Sequence, residues 1–207
     1  MTAKLEFFFD LSSPWTCLAF HNIQPILDDT GAEITWRPIL VGGVFNAVNQ
    51  AVYASREDMT GPKMRHYGKS LKDWAALAGV PMHFPSPWHP VRSVHAMRAC
   101  TALADDQQAL HRFAKGCFDA YFGPDQRNLD DPNVLSAIAS NRGLDGPALI
   151  AQTQDQAVKD KLRATTEELI ERGGYGSPTI FVNGDDMYFG NDQLPLVERA
   201  IRVASAS

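Results

Sequence analysis

Three short segments of the chain carry side chains that could do chemistry. They are Ser12 to Thr16, Gly176 to Thr179 and Gly190 to Asp192, and each borders an apolar run. Ser13 could hydrogen-bond an anion at the start of a helix, where the helix dipole favours negative charge. Asp192, at the start of a later helix, could accept a ligand ammonium group. These residue types suggest a site for a small charged molecule if the fold brings the three segments together.

A purely structural role is also available to each segment. Ser13 is a favourable N-cap residue, and Pro14 suits the first turn of a helix because no hydrogen bond is lost there. Pro178 could open a strand with an ordinary trans bond, since X-Pro bonds are cis in only about 5 to 6% of cases. Asn191 and Asp192 could simply cap the last helix. The elements around these segments must therefore decide between the two explanations.

The first 39 residues predict a strand, a helix and a second strand. Leu5 to Phe9 is an apolar run without alternation, which is typical of a strand buried on both faces. A helix should begin after Ser13 and end at Gly31. Glu33 to Ile39 is the second strand, and the order gives a right-handed βαβ unit.

The middle of the chain is helical in pattern, and the C-terminal part returns to β structure. The candidate helices are Lys63 to Leu77, Val91 to Leu103, Gln107 to Phe122, Pro132 to Asn141 and Asp155 to Arg172. Pro178 to Val182, a turn at Asn183-Gly184, and Met187 to Phe189 predict a hairpin, which a last helix follows.

This order of elements predicts the fold class. We expect an α/β protein with a thioredoxin-like βαβ…ββα sheet domain and a large all-helical insertion. Residues 1–50 and 170–207 would form the sheet domain, and residues 51–169 the helical insertion.

The predicted fold places Ser13 where ligands bind in open α/β sheets. In open α/β sheets, ligands bind beyond the carboxyl ends of the strands, which here means residues 10–15. Ser13-Pro14-Trp15-Thr16 lies where a thioredoxin-like oxidoreductase carries Cys-Pro-x-Cys, so hydroxyls replace both sulfurs and no disulfide can form. Cys17 comes one residue after the position of the second cysteine and would lie inside the helix, so it does not replace the missing pair.

The remaining metal and thiol candidates indicate no site. Cys17, Cys100 and Cys117 are an odd number without C-x-x-C spacing, so we expect reduced, mostly buried thiols. His83, His89 and His95 lack the i, i+4 spacing of a helical metal site. We therefore expect no bound metal.

Charge and hydropathy exclude several classes of partner. The 207 residues include 19 Lys and Arg against 24 Asp and Glu, and the net charge of −5 has the wrong sign for nucleic-acid binding. The apolar run near the N-terminus is broken at Asp10, and no stretch approaches 18 apolar residues. We expect a cytoplasmic protein that binds neither nucleic acid nor a membrane.

The segments together resemble the kappa-class glutathione transferases and the 2-hydroxychromene-2-carboxylate isomerases of the DsbA-like branch of the thioredoxin superfamily. The resemblance covers nearly the whole chain. It rests on Phe9 to Pro14, Leu40 to Phe45 with Asn49, Lys63 with Leu71 to Ala75, Gly176 to Phe181, and Phe189 to Asp192.

The resemblance implies glutathione as the cofactor and a homodimer as the assembly. In that family, the serine matching Ser13 hydrogen-bonds the glutathione sulfur, and Pro14 opens the helix. The residue matching Ser177 pairs through its backbone with the cysteinyl part, ahead of a cis-Pro178. The other implied glutathione-binding positions are Asn191 and Asp192 at the γ-glutamyl end, together with Asn49 and Lys63.

The implied activity is glutathione-dependent isomerisation of an unsaturated aromatic-pathway acid of the 2-hydroxychromene-2-carboxylate type. Reversible addition of the thiolate would turn a double bond into a rotatable single bond. The alternatives are a kappa-type transferase and a non-catalytic glutathione- or peptide-binding module. A thiol:disulfide oxidoreductase is a further alternative, which the hydroxyls of Ser13 and Thr16 oppose.

Overall fold

The computed structural model describes residues 2–55 and 61–205. The strands are Lys4–Phe9 (β1), Glu33–Pro38 (β2), Thr179–Val182 (β3) and Asp186–Phe189 (β4). The helices are Pro14–Thr30 (α1), Val41–Val48 (α2), Ala51–Ser55 (α3), Pro62–Ala78 (α4), Val94–Ala102 (α5), Gln107–Phe122 (α6), Pro132–Asn141 (α7), Gly146–Gln152 (α8), Gln156–Glu171 (α9) and Leu194–Ser205 (α10). A 3-10 turn at Asn191–Gln193 leads into α10.

The four strands form one mixed sheet in the order β2-β1-β3-β4. β1 is parallel to β2, and the pairs β1–β3 and β3–β4 are antiparallel. Helices α2 to α9 all come between β2 and β3 in the chain. The predicted βαβ…ββα order with a helical insertion is therefore confirmed, while the domain boundaries 1–50, 51–169 and 170–207 stay predictions.

β1 is buried on both faces over Phe7, Phe8 and Phe9, as its mainly apolar sequence without alternation predicts. On one face the Phe7 ring packs against Trp36 of β2, with ring centroids 5.0 Å apart. On the other face Phe8 packs against Phe181 at 5.6 Å. The guanidinium of Arg172 covers this second face, 3.8 Å from the Phe181 ring centroid. Packing on both sides fixes the carboxyl end of β1, where the candidate site begins.

Local signals set the bounds of α1. Ser13 caps its first turn, and Pro14 is its first residue. Gly31 ends it in the left-handed conformation, with φ of 68°, and its N–H returns to the Leu27 carbonyl. Helices α2, α3 and α8 lie where the sequence pattern named no helix.

His111 of α6 is a half-buried imidazole between aromatic rings. It stacks on Phe20 with centroids 4.9 Å apart and lies 5.4 Å from Trp36. Its Nε2 is buried and has no hydrogen-bond partner among the described residues. Burial lowers the pKa of His111, and the neighbouring charges of Lys115 and Arg112 lower it further. The folded chain therefore favours the neutral ring.

The depressed pKa of His111 predicts a loss of stability in acid. The unfolded chain takes up the His111 proton near pH 6.5, whereas the folded chain resists it. The contribution is thus complete above pH 6.5 and is lost as the pH falls towards the folded-state pKa, with a slope of at most about 1.4 kcal/mol per pH unit. Urea unfolding at pH 7, 6 and 5 should show a smaller decline for His111→Phe, which keeps the stacking, than for the wild type. Equal declines would show that His111 does not carry this acid sensitivity.

Candidate active site

Ser13 lies where β1 gives way to α1, and its hydroxyl serves two contacts. Ser13 Oγ accepts the Thr16 N–H at 3.2 Å, which is the N-cap bond. The same hydroxyl donates to the carbonyl of Ser177, 3.3 Å away. Ser13 is only partly buried, so one group both caps the helix and faces the loop ahead of β3.

Ser177 and Pro178 form the opposite side of this contact. Their peptide bond is cis, as the resemblance implies. The Ser177 side chain turns inward, where its Oγ accepts the Asp10 N–H at 2.9 Å and lies 2.7 Å from Thr16 Oγ1. Ser177 therefore contacts the end of β1 and the first turn of α1 at once.

Asp10 is a fully buried carboxylate beneath the site. Its Oδ1 accepts the Ser12 N–H at 2.9 Å. Its Oδ2 accepts the Val41 N–H at 2.9 Å and the Ser93 hydroxyl at 3.0 Å. Burial raises the pKa of Asp10, and the hydrogen bonds from Val41, Ser12 and Ser93 oppose that rise. One side chain thus holds the turn before α1 to the starts of α2 and α5.

A cavity of about 310 Å³ opens beside the loop at Ser177. Its lining residues are Trp15, Ser70, Trp74, Ser177, Pro178, Phe189, Gly190, Asn191 and Asp192. Asn191 is only 2% exposed, and its Oδ1 accepts a hydrogen bond from Asn22 at 2.8 Å. Its Nδ2 is buried and has no partner within residues 2–55 and 61–205. A buried amide donor without an acceptor is costly, so it marks a place where a ligand oxygen would fit.

The structure gathers most of the predicted glutathione positions, but two lie elsewhere. Ser13, with Pro14 beside it, faces Ser177, and Asn191 and Asp192 share the cavity with Pro178. These residues lie together in the structure, while their binding of glutathione stays a prediction.

Asn49 and Lys63 are not among the residues that line the cavity. The side chain of Asn49, at the end of α2, donates to the Tyr175 carbonyl at 3.1 Å, so it holds the loop ahead of Ser177. Lys63 is exposed in the first turn of α4. Conversely, Trp15, Ser70 and Trp74 do line the cavity, and the sequence did not mark them as site residues.

The three cysteines are free and buried, which confirms the prediction from their number and spacing. Burial raises the pKa of each thiol well above its ordinary value. Because the thiolate is the nucleophile, burial disfavours the reactive form of these thiols.

Two absences among the described residues concern metals and membranes. No group of three or more His, Cys, Asp or Glu side chains within them is placed to hold a metal ion. None of their helices is long and apolar enough to cross a membrane.

Comparison with known proteins places this geometry among related chains. The profile of the DSBA-like thioredoxin domain matches residues 4–202. The chain is 30% identical over 206 residues to 2-hydroxychromene-2-carboxylate isomerase of Sphingobium xenophagum, covering 96% of this chain and 97% of that protein. It is 27% identical to glutathione S-transferase kappa 1 of Rattus norvegicus over 204 residues, covering 93% and 88% of the two chains. A solved structure of 2-hydroxychromene-2-carboxylate isomerase superposes with a TM-score of 0.81 at 24% identity, covering 99% of both chains.

Proposed function

The chain belongs to the DsbA-like thioredoxin family, and we propose that it is a glutathione-dependent isomerase of an unsaturated aromatic acid of the 2-hydroxychromene-2-carboxylate type. The observation that carries this proposal is the Ser13 hydroxyl. It lies at the N-terminus of the 17-residue helix α1, where thiol chemistry would place a cysteine, and 3.3 Å from the Ser177 carbonyl. The similarity to curated isomerases over nearly the whole chain supports the choice of reaction.

The residues present fit the chemical groups of glutathione. The Ser177 carbonyl can accept the cysteinyl N–H, and Ser13 can then donate its hydroxyl to the sulfur. The unpaired Nδ2 of Asn191 suits a carboxylate oxygen of the γ-glutamyl end. Asp192, exposed at the same cavity, suits the ammonium group.

The chain's own contribution is to stabilise negative charge on sulfur. A free thiol of this kind has a pKa of about 8.5, and each unit of lowering corresponds to about 1.4 kcal/mol in favour of the thiolate. The Ser13 hydroxyl and the N-terminus of α1 both favour the anion. When bound, glutathione would supply a thiolate that adds reversibly to a conjugated carbon and leaves after rotation about the resulting single bond. Serine performs this role without the risk of a mixed disulfide.

Turnover assays with and without glutathione test this proposal. Isomerisation of unsaturated aromatic acids that depends on glutathione supports it. Conjugation of glutathione to an electrophile without isomerisation would instead favour the kappa-type transferase. Glutathione binding without either activity would favour a binding module. The same preparation in gel filtration tests the proposed homodimer.

Asp192→Asn should weaken glutathione binding by about 1 to 3 kcal/mol, or roughly 5- to 150-fold in Kd. The amide keeps the size of the carboxylate but loses its charge-assisted hydrogen bond to the ammonium group. Isothermal titration calorimetry measures the change. Asp185→Asn is the matched control, because Asp185 is an exposed acid in the turn between β3 and β4. Equal Kd values for the two variants would remove Asp192 from the site.

A further inference from the structure

We infer that Thr16 is a positioning residue for thiol activation, acting through the side chain of Ser177. This inference rests on the proposed function, since it concerns how the bound sulfur meets Ser13. Thr16 occupies the position of the second cysteine in a Cys-Pro-x-Cys segment, and no role for it follows from the glutathione contacts proposed above.

The Thr16 hydroxyl hydrogen-bonds the hydroxyl of Ser177. Thr16 is completely buried, and its Oγ1 lies 2.7 Å from Ser177 Oγ. Ser177 Oγ also accepts the Asp10 N–H at 2.9 Å. The pair of hydroxyls therefore joins three segments that are far apart in the chain: the first turn of α1, the end of β1 and the residue ahead of Pro178.

Two contacts hold Ser177 against α1, one on its side chain and one on its backbone. Its hydroxyl meets Thr16, and its carbonyl accepts the hydroxyl of Ser13. Ser13 and Thr16 are three residues apart and lie on the same face of the helix. Ser177 is therefore held at two points, and the direction of its carbonyl is fixed relative to the Ser13 hydroxyl.

This orientation matters for the sulfur. If the cysteinyl N–H pairs with the Ser177 carbonyl, the direction of that carbonyl determines where the cysteinyl residue lies. It therefore also determines where the sulfur lies relative to the Ser13 hydroxyl. The single hydroxyl hydrogen of Ser13 is donated to the same carbonyl. An incoming N–H replaces Ser13 there and releases the hydroxyl to the sulfur. Without the Thr16 hydroxyl, Ser177 loses one of its two contacts with α1. The Ser177 carbonyl is then held less firmly, and the sulfur is placed less accurately relative to the Ser13 hydroxyl.

The test compares two variants of Thr16. Thr16→Val keeps the shape of the side chain and removes its hydroxyl, whereas Thr16→Ser keeps the hydroxyl. Thr153→Val is the control, because Thr153 is also buried and its hydroxyl donates to the carbonyl of Ile150 in its own turn. The readouts are the pKa of the bound thiol, from thiolate absorbance, and kcat and KM for the glutathione-dependent reaction. Circular dichroism confirms that each variant is folded.

We expect Thr16→Val to raise the pKa of the bound thiol and to lower kcat by about 10- to 100-fold, the usual effect of slightly misplaced reacting groups. KM for glutathione should change much less, and Thr16→Ser should recover most of kcat. If Thr16→Val does not fold, Ser177→Ala removes the other hydroxyl of the pair and should give the same shifts.

Two results overturn the inference in distinguishable ways. If the wild type lowers the thiol pKa and Thr16→Val behaves like Thr153→Val, Thr16 has only a structural role while the proposed function stands. If the wild type neither binds glutathione nor lowers its thiol pKa, the proposed function fails and the inference fails with it.

Discussion

Ser13→Ala is expected to lower glutathione-dependent turnover by about 10²- to 10³-fold, the usual cost of removing one hydrogen-bond donor to a reacting anion. The hydroxyl is the group that the structure places at the N-terminus of α1, facing Ser177. Its loss should also raise the pKa of the bound thiol, visible as weaker thiolate absorbance at a fixed pH. Glutathione affinity should fall less than turnover, because most of the proposed contacts to the tripeptide would remain.

The same substitution removes an N-cap, so the two effects must be separated. Cap loss alone costs about 0.5 to 2 kcal/mol of stability, whatever the ligand. Asp131→Ala is the matched control, since Asp131 caps α7 by accepting the Asn133 N–H at 2.8 Å. It should lose similar stability but keep the thiol pKa and turnover. If Ser13→Ala loses stability yet keeps wild-type turnover and thiol pKa, Ser13 is only a cap and the proposed mechanism is wrong.

Asp10→Ala is expected to destabilise the chain by about 2 to 5 kcal/mol. The substitution leaves three donors without their acceptor: the N–H groups of Ser12 and Val41 and the hydroxyl of Ser93. Relief from burying a carboxylate offsets part of that loss. Asp106 is an exposed N-cap that accepts a single hydrogen bond, from the Ala109 N–H. Asp106→Ala should therefore lower the free energy of unfolding by only about 1 kcal/mol. Urea unfolding at pH 7 measures both, and equal losses would contradict the role assigned to Asp10.

The raised pKa of Asp10 adds a pH dependence to this comparison. Its folded-state pKa lies above the ordinary value of 3.8, so its contribution to stability is complete below that value. The contribution is lost as the pH rises through the folded-state pKa. The gap in unfolding free energy between the wild type and Asp10→Asn should therefore narrow as the pH rises. A constant gap from pH 4 to pH 7 would show that Asp10 titrates equally in both states.

The sequence predicts elements whose signals are local. β1 follows from a mainly apolar run without alternation, and α1 from Ser13 and Pro14 at its start and Gly31 at its end. Helix α2 has no such signal, because two glycines follow its first residue and Leu40 offers no side-chain cap. The acceptor for its first N–H comes from Asp10, 31 residues earlier. A cap supplied across the fold is invisible to a local pattern.

The residues of the candidate site also divide into those with a local sequence signal and those whose role depends on contacts across the fold. Ser13 and the pair Asn191 and Asp192 could be proposed from the sequence because they stand at helix starts, in segments that resemble a known family. Asp10 could not, since its importance comes from donors in α2 and α5 that only the folded chain brings near it. An acidic residue directly after a strand buried on both faces was the one available signal.

The hydrogen bonds between α1 and the loop ahead of β3 also bear on how the chain avoids aggregation. Ser13 and Ser177 are 164 positions apart, and β1 pairs with β3 across a similar span. During synthesis the edge of β1 that faces β3 therefore stays unpaired until β3 has been made, and an apolar strand edge is a template for association with other chains. A ligand held between Ser13 and Ser177 binds only after that edge is closed, so it favours the assembled chain by mass action. A small molecule bound at this position would therefore stabilise the newly made chain in its assembled form.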